Sequence, residues 1–184
     1  MFKAKGKSKS GEEKIIFDII IRYSLAFLAS LGSFWIFYAI FTPLTFYPSA
    51  FILKLIYNAS IENPFIFIGE NTIFINKACV AGSAYALLFL LNMASYGILW
   101  TKRAKILLFN FSSLLVLNIL RIGLLAILLI ILPELYDITH FIFWHVMSIV
   151  FVVGIWLFTI KLFKIKAIPF FSDFMNVRGM IKKK

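Results

Sequence analysis

The segment 106–132 constrains this chain most, because it is rich in Leu and Ile and its only charged residue is Arg121. At about 1.5 Å per residue, a helix of that length crosses the roughly 30 Å hydrocarbon core of a bilayer. The rest of the chain is similar, with 62% hydrophobic and 15% charged residues. That composition leaves too little polar side chain to cover one soluble core. The sequence therefore predicts an all-α integral membrane protein.

Four apolar segments are candidate membrane-spanning helices, namely 23–42, 78–100, 106–132 and 140–160. Lysine and arginine are concentrated beside them, in 1–22, 101–105 and 161–184. Because cationic flanks of membrane helices stay in the cytoplasm, we predict a basic cytoplasmic N-terminus, a single membrane domain over 23–160 and a basic cytoplasmic tail. The net charge of +11 then reflects topology and contact with anionic membrane lipids, and no nucleic-acid partner is needed to explain it.

Residues 43–77 are expected to lie on the outer side of the membrane. Pro43 and Pro48 follow the first predicted span, and proline usually breaks a helix interior. Residues 65–68 and 72–75 are short runs of Phe, Ile and Thr on either side of a turn, a pattern typical of a β-hairpin. We therefore predict an outer interfacial segment that contains a short hairpin.

Three side chains on different predicted spans are candidates for function: Cys79, Arg121 and His145. An ionisable group at membrane depth is costly, so function is the first explanation for it. Arg121 lies 16 residues after Lys105, and His145 lies 16 residues before Lys161. Both therefore stand roughly 24 Å above the cytoplasmic boundary. Cys79, the single cysteine, begins its span near the outer boundary, so all three groups can share one outward-facing pocket.

Nucleophilic acyl transfer is the chemistry that uses such a set. A cysteine attacks as its thiolate, which needs a nearby cation or base. Arg121 can supply a permanent positive charge and hydrogen-bond donors for a developing oxyanion. His145 can accept the thiol proton and return it to a leaving amine. His140 stands about level with Cys79 along its span and competes for that role, but we favour His145 because it stands level with Arg121.

Three short stretches carry these residues, Lys-Ala-Cys-Val-Ala-Gly-Ser at 77–83, Leu-Asn-Ile-Leu-Arg-Ile at 117–122 and Thr-His-Phe-Ile-Phe-Trp-His at 139–145. In this order they resemble the exosortase/archaeosortase family over about residues 60–160. In that family a stretch resembling Ala-Cys-Ser-Gly carries the nucleophile, one resembling Asn-x-x-Arg-Ile carries an essential arginine, and a later helix carries a histidine or arginine. Here Val80 and Ala81 depart from that pattern, which places the glycine one position later.

The resemblance implies a membrane-embedded cysteine protease or transpeptidase at the plasma membrane, with its active site facing outward. Its substrates would be exported surface proteins with a C-terminal motif, an apolar helix and a basic tail, and the acceptor would be a lipid or lipid-linked amine. Cys79 would be the nucleophile, Arg121 the proton donor or oxyanion stabiliser, and His145 or His140 the base. The resemblance implies no metal and no organic cofactor. The supporting residues would be Gly82, Ser83 and Asn118.

Two other classes of protein stay open. One is a non-enzymatic membrane subunit, such as a transporter component or assembly factor, in which Arg121 pairs with Asn118 or an outer acid and Cys79 only fills space. The other is an intramembrane serine protease built on Ser83 and a distant histidine, although the sequence around Ser83 lacks the second glycine of a nucleophile turn. Cys79→Ser tests the first alternative, because a packing residue tolerates that change.

Overall fold

The structure is a computed structural model that describes residues 5–31 and 35–181, which are mostly helical. The helices are α1 (Lys5–Ser30), α2 (Trp35–Tyr57), α3 (Lys77–Val80), α4 (Gly82–Met93), α5 (Trp100–Ile131), α6 (Pro133–Ile142), α7 (Ser148–Leu162) and α8 (Phe171–Ile181). The strands are β1 (Ser60–Glu62), β2 (Phe65–Ile68) and β3 (Asn71–Phe74), and a π-helical segment, Phe143–Met147, joins α6 to α7.

Three helices in the described residues are long and apolar enough to cross a membrane: Trp35–Tyr57, Trp100–Ile131 and the continuous helix Pro133–Leu162. The stretch Lys77–Met93 is also apolar but shorter. The expectation of a mostly helical chain is therefore confirmed, and these three helices agree with the expectation of a membrane protein. The expected count of four spans is not confirmed, because only three helices in the described residues are both long and apolar enough to cross.

The first predicted span, 23–42, and the break at Pro43 were wrong. The chain instead forms α1 and then α2, and both Pro43 and Pro48 lie inside α2. Each proline removes only one backbone donor, and packing in a membrane bundle tolerates that loss. The apolar sequence continues past both prolines to Tyr57, so the helix continues as well. The predicted outer segment 43–77 is correspondingly reduced to the part after Tyr57, and residues 32–34 lie outside the described residues.

The second predicted span, 78–100, is also not one helix. Ala81 has a left-handed backbone, with φ of 58°, and separates α3 from α4. At the other end α4 stops at Met93, and a loop with Gly97 at φ of 71° leads into α5. Hydropathy alone did not reveal either interruption, because the residues at both positions are as apolar or as small as their neighbours.

The predicted hairpin is confirmed, and β1 extends it to an antiparallel sheet in the order β1-β2-β3. Ile66 pairs with Ile73 in β3 and with Ile61 in β1. The buried side chains of Ile66 and Ile68 pack against α2 and α5 in one apolar cluster. Burial of one sheet face fixes the register, since a slip of one residue would expose these isoleucines. The sheet is thereby held against the part of α5 that carries Arg121.

Helix α5 is the central element, because it contacts α2, α4, α6 and α7. Its buried side chains recur every three or four residues and form one stripe along the helix. This stripe is polar at intervals, so the same face that packs the bundle also places hydrogen-bonding groups inside it. Its members are Arg103, Ile106, Asn110, Leu114, Asn118, Arg121, Ile122 and Ala126.

The end of the bundle farthest from Cys79 contains a buried ionic cluster. Arg22 is 0% exposed and pairs with Asp173 of α8 through two bonds of 2.9 and 2.7 Å, while its Nε donates to Asp18 at 2.9 Å. It also donates to the carbonyl of Met93 at 2.8 Å. Burial lowers the pKa of the Arg22 guanidinium, but the pairs with Asp173 and Asp18 outweigh that effect and leave the pKa above its ordinary value. The cluster joins α1, α4 and α8.

Candidate functional site

Cys79 is the third residue of the short helix α3. Asn76 caps this helix, because its side-chain oxygen accepts a hydrogen bond of 3.1 Å from the Cys79 amide. Asparagine is a preferred residue at this position, where it satisfies an amide that has no helical partner. The left-handed conformation of Ala81 then ends α3 after one turn. The cysteine is therefore held on a single rigid turn between the sheet and α4.

Arg121 is 7% exposed and connects three elements of the fold. Its Nη2 donates to the carbonyls of Ala78 and Cys79 at 3.3 and 3.1 Å, and its Nη1 donates to Ser148 Oγ at 3.2 Å. The last carbonyls of a helix accept no hydrogen bond from within that helix. Because α3 is interrupted at Ala81, its carbonyls need donors from elsewhere in the fold. The guanidinium satisfies them and so fixes the position of the cysteine turn.

Asn118 acts in the same way one turn earlier on α5. Its Nδ2 donates to the carbonyl of Cys79 at 2.6 Å and to that of Val80 at 3.3 Å. The sequence argument considered Asn118 as a partner of Arg121, but the structure gives both residues the same main-chain acceptor on α3. Residues three apart on a helix lie on one face, which explains why both reach the same turn.

Two adjoining cavities of about 40 and 270 Å³ form what we call the cysteine cleft. Arg121 lines the smaller cavity, and residues 72–76 and Tyr136 line the larger one. The cleft runs from the thiol-bearing turn along β3, between the sheet and helices α5 and α6. The residues that line both cavities are Asn76, Cys79, Ile122, Leu125 and His140.

The two histidines lie in different places. His140 lines both cavities of the cysteine cleft and stacks on Tyr136, with ring centroids 5.5 Å apart and planes 10° apart. His145 is exposed, lies in the π-helical segment, and has its Nδ1 3.1 Å from the carbonyl of Phe141. His145 is not among the residues that line either cavity. Depth along the helix favoured His145, but depth does not determine on which side of the helix a side chain lies.

Gly82 and Ser83 do not line the cleft. Gly82 is buried, and a Cβ built on it would lie 2.7 Å from the ring of Tyr38, so its role here is close packing of α4 against α2. Ser83 is exposed on α4, outside the lining that contains His140. The arrangement therefore offers no support for a serine nucleophile at Ser83.

Three contributors to the site were not foreseen from the sequence: Asn76, Tyr136 and Ser148. The role of Asn76 could have been predicted from the sequence, since an asparagine immediately before a helix is a common N-cap. Ser148 is 27 residues from Arg121, and its contact depends on how α5 and α7 pack. Tyr136 lies in 133–139, between two of the predicted spans, but it belongs to α6.

The groups gathered in the cleft are a thiol, a guanidinium and an imidazole on three separate elements. A thiol beside a base and a cation is suited to nucleophilic attack on a carbonyl carbon. Within the described residues no group of three His, Cys, Asp or Glu side chains is placed to hold a metal ion. The candidate chemistry is therefore argued from Cys79, Arg121 and His140.

Comparison with protein-family models, with curated proteins and with solved structures gives no match to this chain. No family is assigned on that basis.

Proposed function

We propose that this protein is a membrane-embedded cysteine transpeptidase of the exosortase/archaeosortase type, which cleaves C-terminal sorting signals from exported proteins. The observation that carries the proposal is that Cys79, Arg121 and His140, from three separate elements, line one cleft. The three motifs lie far apart in the sequence, and their meeting is what a shared catalytic role requires. His140 takes the place of third member in this proposal, ahead of His145.

In the proposed reaction His140 accepts the proton of the Cys79 thiol, and the thiolate attacks the carbonyl carbon of the scissile peptide bond. The carbon–nitrogen bond breaks, His140 returns the proton to the leaving amine, and an acyl-thioester remains on Cys79. An acceptor amine then attacks the thioester, loses a proton to His140 and releases the thiolate. A lipid-linked amine as acceptor gives a product attached to the membrane.

Arg121 stabilises the oxyanion in this scheme. Its Nη atoms are engaged by α3 and Ser148, while its buried Nε has no hydrogen-bond partner among the described residues. A buried donor without a partner is uncommon in proteins. In the proposal the fixed positive charge of this guanidinium, beside the cleft, lowers the barrier by stabilising the charge that develops on the substrate carbonyl oxygen.

The shape of the cleft favours an extended peptide as substrate. Strand β3 is at one edge of the sheet, and the amide of Ile75 donates to the carbonyl of Pro64 at 3.1 Å. Since the peptide groups of a strand alternate in direction, those of Thr72 and Phe74 point away from β2. An extended segment can add to such an edge through main-chain hydrogen bonds. Bound there, the segment before the scissile bond would lead to Cys79.

Charge gives the proposed orientation in the membrane. The end of the bundle that carries Lys102, Lys105 and Lys161 is placed in the cytoplasm, because lysine and arginine are retained there. The cysteine cleft, near the opposite ends of α4 and α5, then opens toward the exterior of the plasma membrane. Exported proteins are accessible from that side.

The test is co-expression with a candidate exported protein that ends in a short motif, an apolar helix and a basic tail. Intact mass reports whether the C-terminal helix has been removed. We expect removal with the wild type, loss of at least about a hundredfold with Cys79→Ala and His140→Ala, and little change with His145→Ala as the matched control. Unchanged processing with Cys79→Ala ends the proposal.

A non-enzymatic membrane subunit is the second candidate, and one observation favours it. Both Nη atoms of Arg121 are used to tie α3 to α5 and α7, which is a sufficient structural reason for a buried charge. This alternative predicts that Cys79→Ser preserves the function and that Arg121→Ala lowers stability. The transpeptidase predicts that Cys79→Ser abolishes processing in a protein that is still folded.

A further inference from the structure

A second polar cavity lies at the end of the bundle farthest from Cys79. It has a volume of about 450 Å³, and its lining includes Lys102, Lys164 and Lys166 together with Ser172 and Tyr96. We call it the lysine pocket. Lys102 comes from the first turn of α5, and the other two lysines come from the segment between α7 and α8. No Asp or Glu is among the residues that line it, so no acidic side chain in the lining balances the positive charge of the lysines.

The walls of the lysine pocket are held in place by the fold. Lys102 Nζ donates to the carbonyl of Phe163 at 2.6 Å, and the amide of Ile165 donates to the carbonyl of Ile160 at 3.0 Å. The amide of Phe170 donates to the carbonyl of Ala94 at 3.0 Å. The two chain segments that form the pocket are therefore attached to each other and to α7, and the pocket does not depend on loose side chains.

Large apolar side chains are exposed beside the lysines. They lie two or three residues before Lys102, or two to eight residues after Lys166. Among soluble proteins such a concentration of exposed aromatic side chains marks a contact surface. In a membrane protein the matching environment is the boundary between headgroups and acyl chains, where aromatic residues are enriched. The exposed residues are Leu99, Trp100, Ile168, Phe170, Phe171 and Phe174.

We propose that the lysine pocket binds the phosphate of an anionic phospholipid, whose acyl chains lie against these exposed apolar side chains. Ammonium groups attract the phosphate, and clustered lysines at the cytoplasmic membrane surface favour anionic lipids. A zwitterionic lipid brings its own cation close to the phosphate and gains less from three lysines. A free phosphate ion satisfies the lysines and leaves the apolar side chains uncovered. This inference is independent of the proposed function.

The test measures lipid binding by the full chain, purified in a neutral detergent, using native mass spectrometry. Dioleoyl phosphatidylglycerol and dioleoyl phosphatidylcholine are titrated separately, so that only the headgroup differs. We expect phosphatidylglycerol to bind about tenfold more tightly, and the double variant K164A/K166A to lose most of that preference. The matched control K105A/K161A removes the same charge from exposed lysines outside the pocket and should change the preference less than about twofold.

Three results would overturn the site. Equal binding of the two lipids shows that no headgroup is selected. An equal loss in both double variants shows that surface charge in general, and not the pocket, attracts the lipid. Displacement of bound phosphatidylglycerol by millimolar inorganic phosphate shows a site for the free ion. If K164A/K166A aggregates, K164Q/K166Q gives the same comparison with the polar surface retained.

Discussion

The buried pair between Arg22 and Asp173 gives a sharp prediction about stability. In Asp173→Asn the residue keeps its size and one acceptor oxygen, but the carboxylate charge is lost. Arg22 is 0% exposed and Asp173 is 4% exposed, so water cannot replace the missing charge. Removing one partner of a buried ion pair typically costs about 3–5 kcal/mol. Asp18 remains bonded to the Arg22 Nε, so we expect the lower part of that range, about 3 kcal/mol.

Asp18→Asn is the matched control, because it removes the same charge from the same arginine. The Asp18 side chain is 32% exposed and pairs with Arg22 across one helical turn, and such pairs contribute less than about 1 kcal/mol. The free energy of unfolding is measured for both variants in mixed detergent micelles during titration with sodium dodecyl sulfate. Equal losses for the two variants would refute the role given to burial.

A double variant distinguishes the electrostatic contribution of the ion pair from the packing of its side chains. Replacing both partners, as in R22M/D173L, removes both charges and leaves no unpaired arginine. Apolar replacement of a buried pair is often neutral or stabilising, so we expect the double variant to be more stable than Asp173→Asn. If it is less stable than the single variant, the loss is caused by packing or by the bond to Met93, and the electrostatic explanation fails.

The remaining predictions concern the cysteine cleft and its support. Gly82→Ala should lower the free energy of unfolding by about 1–3 kcal/mol through overpacking, whereas Gly154→Ala, which meets nothing within 4 Å, should change it little; thermal unfolding compares them. Asn118→Ala leaves two α3 carbonyls without that donor and should cost about 1–3 kcal/mol in the same assay. Thr72→Pro removes an outward amide at the β3 edge and should slow substrate processing about five- to tenfold. Ile61→Pro, at the opposite edge, should leave it unchanged, and equal slowing would contradict peptide addition to β3.

The sequence predicted those features that depend on local composition. The apolar runs gave the membrane class, and the alternating residues in 65–75 gave the hairpin. Depth along a helix also follows from counting, which is why Cys79 and Arg121 were expected at the same end of the bundle. The Arg22–Asp173 pair joins residues 151 apart, and no local sequence pattern predicts a contact between residues so far apart.

Other features depend on direction and packing, which a count along the chain does not provide. His140 and His145 were ranked by depth, but the side of the helix decides which ring enters the cleft. Pro43 and Pro48 were read as stops because their neighbours in the bundle were unknown. The three-dimensional arrangement supplies the missing information in each case, since it shows what each side chain packs against.

Helix α5 carries two buried arginines, Arg103 in its first turn and Arg121 about two thirds of the way along, on one continuous face. The two lie 18 positions apart, so their α-carbons are separated by roughly 27 Å along the axis. That length is close to the hydrocarbon thickness of an ordinary bilayer. Because tilting can only shorten this projected distance, a bilayer with a thicker core would have to thin locally around the protein to keep both charges out of its hydrocarbon.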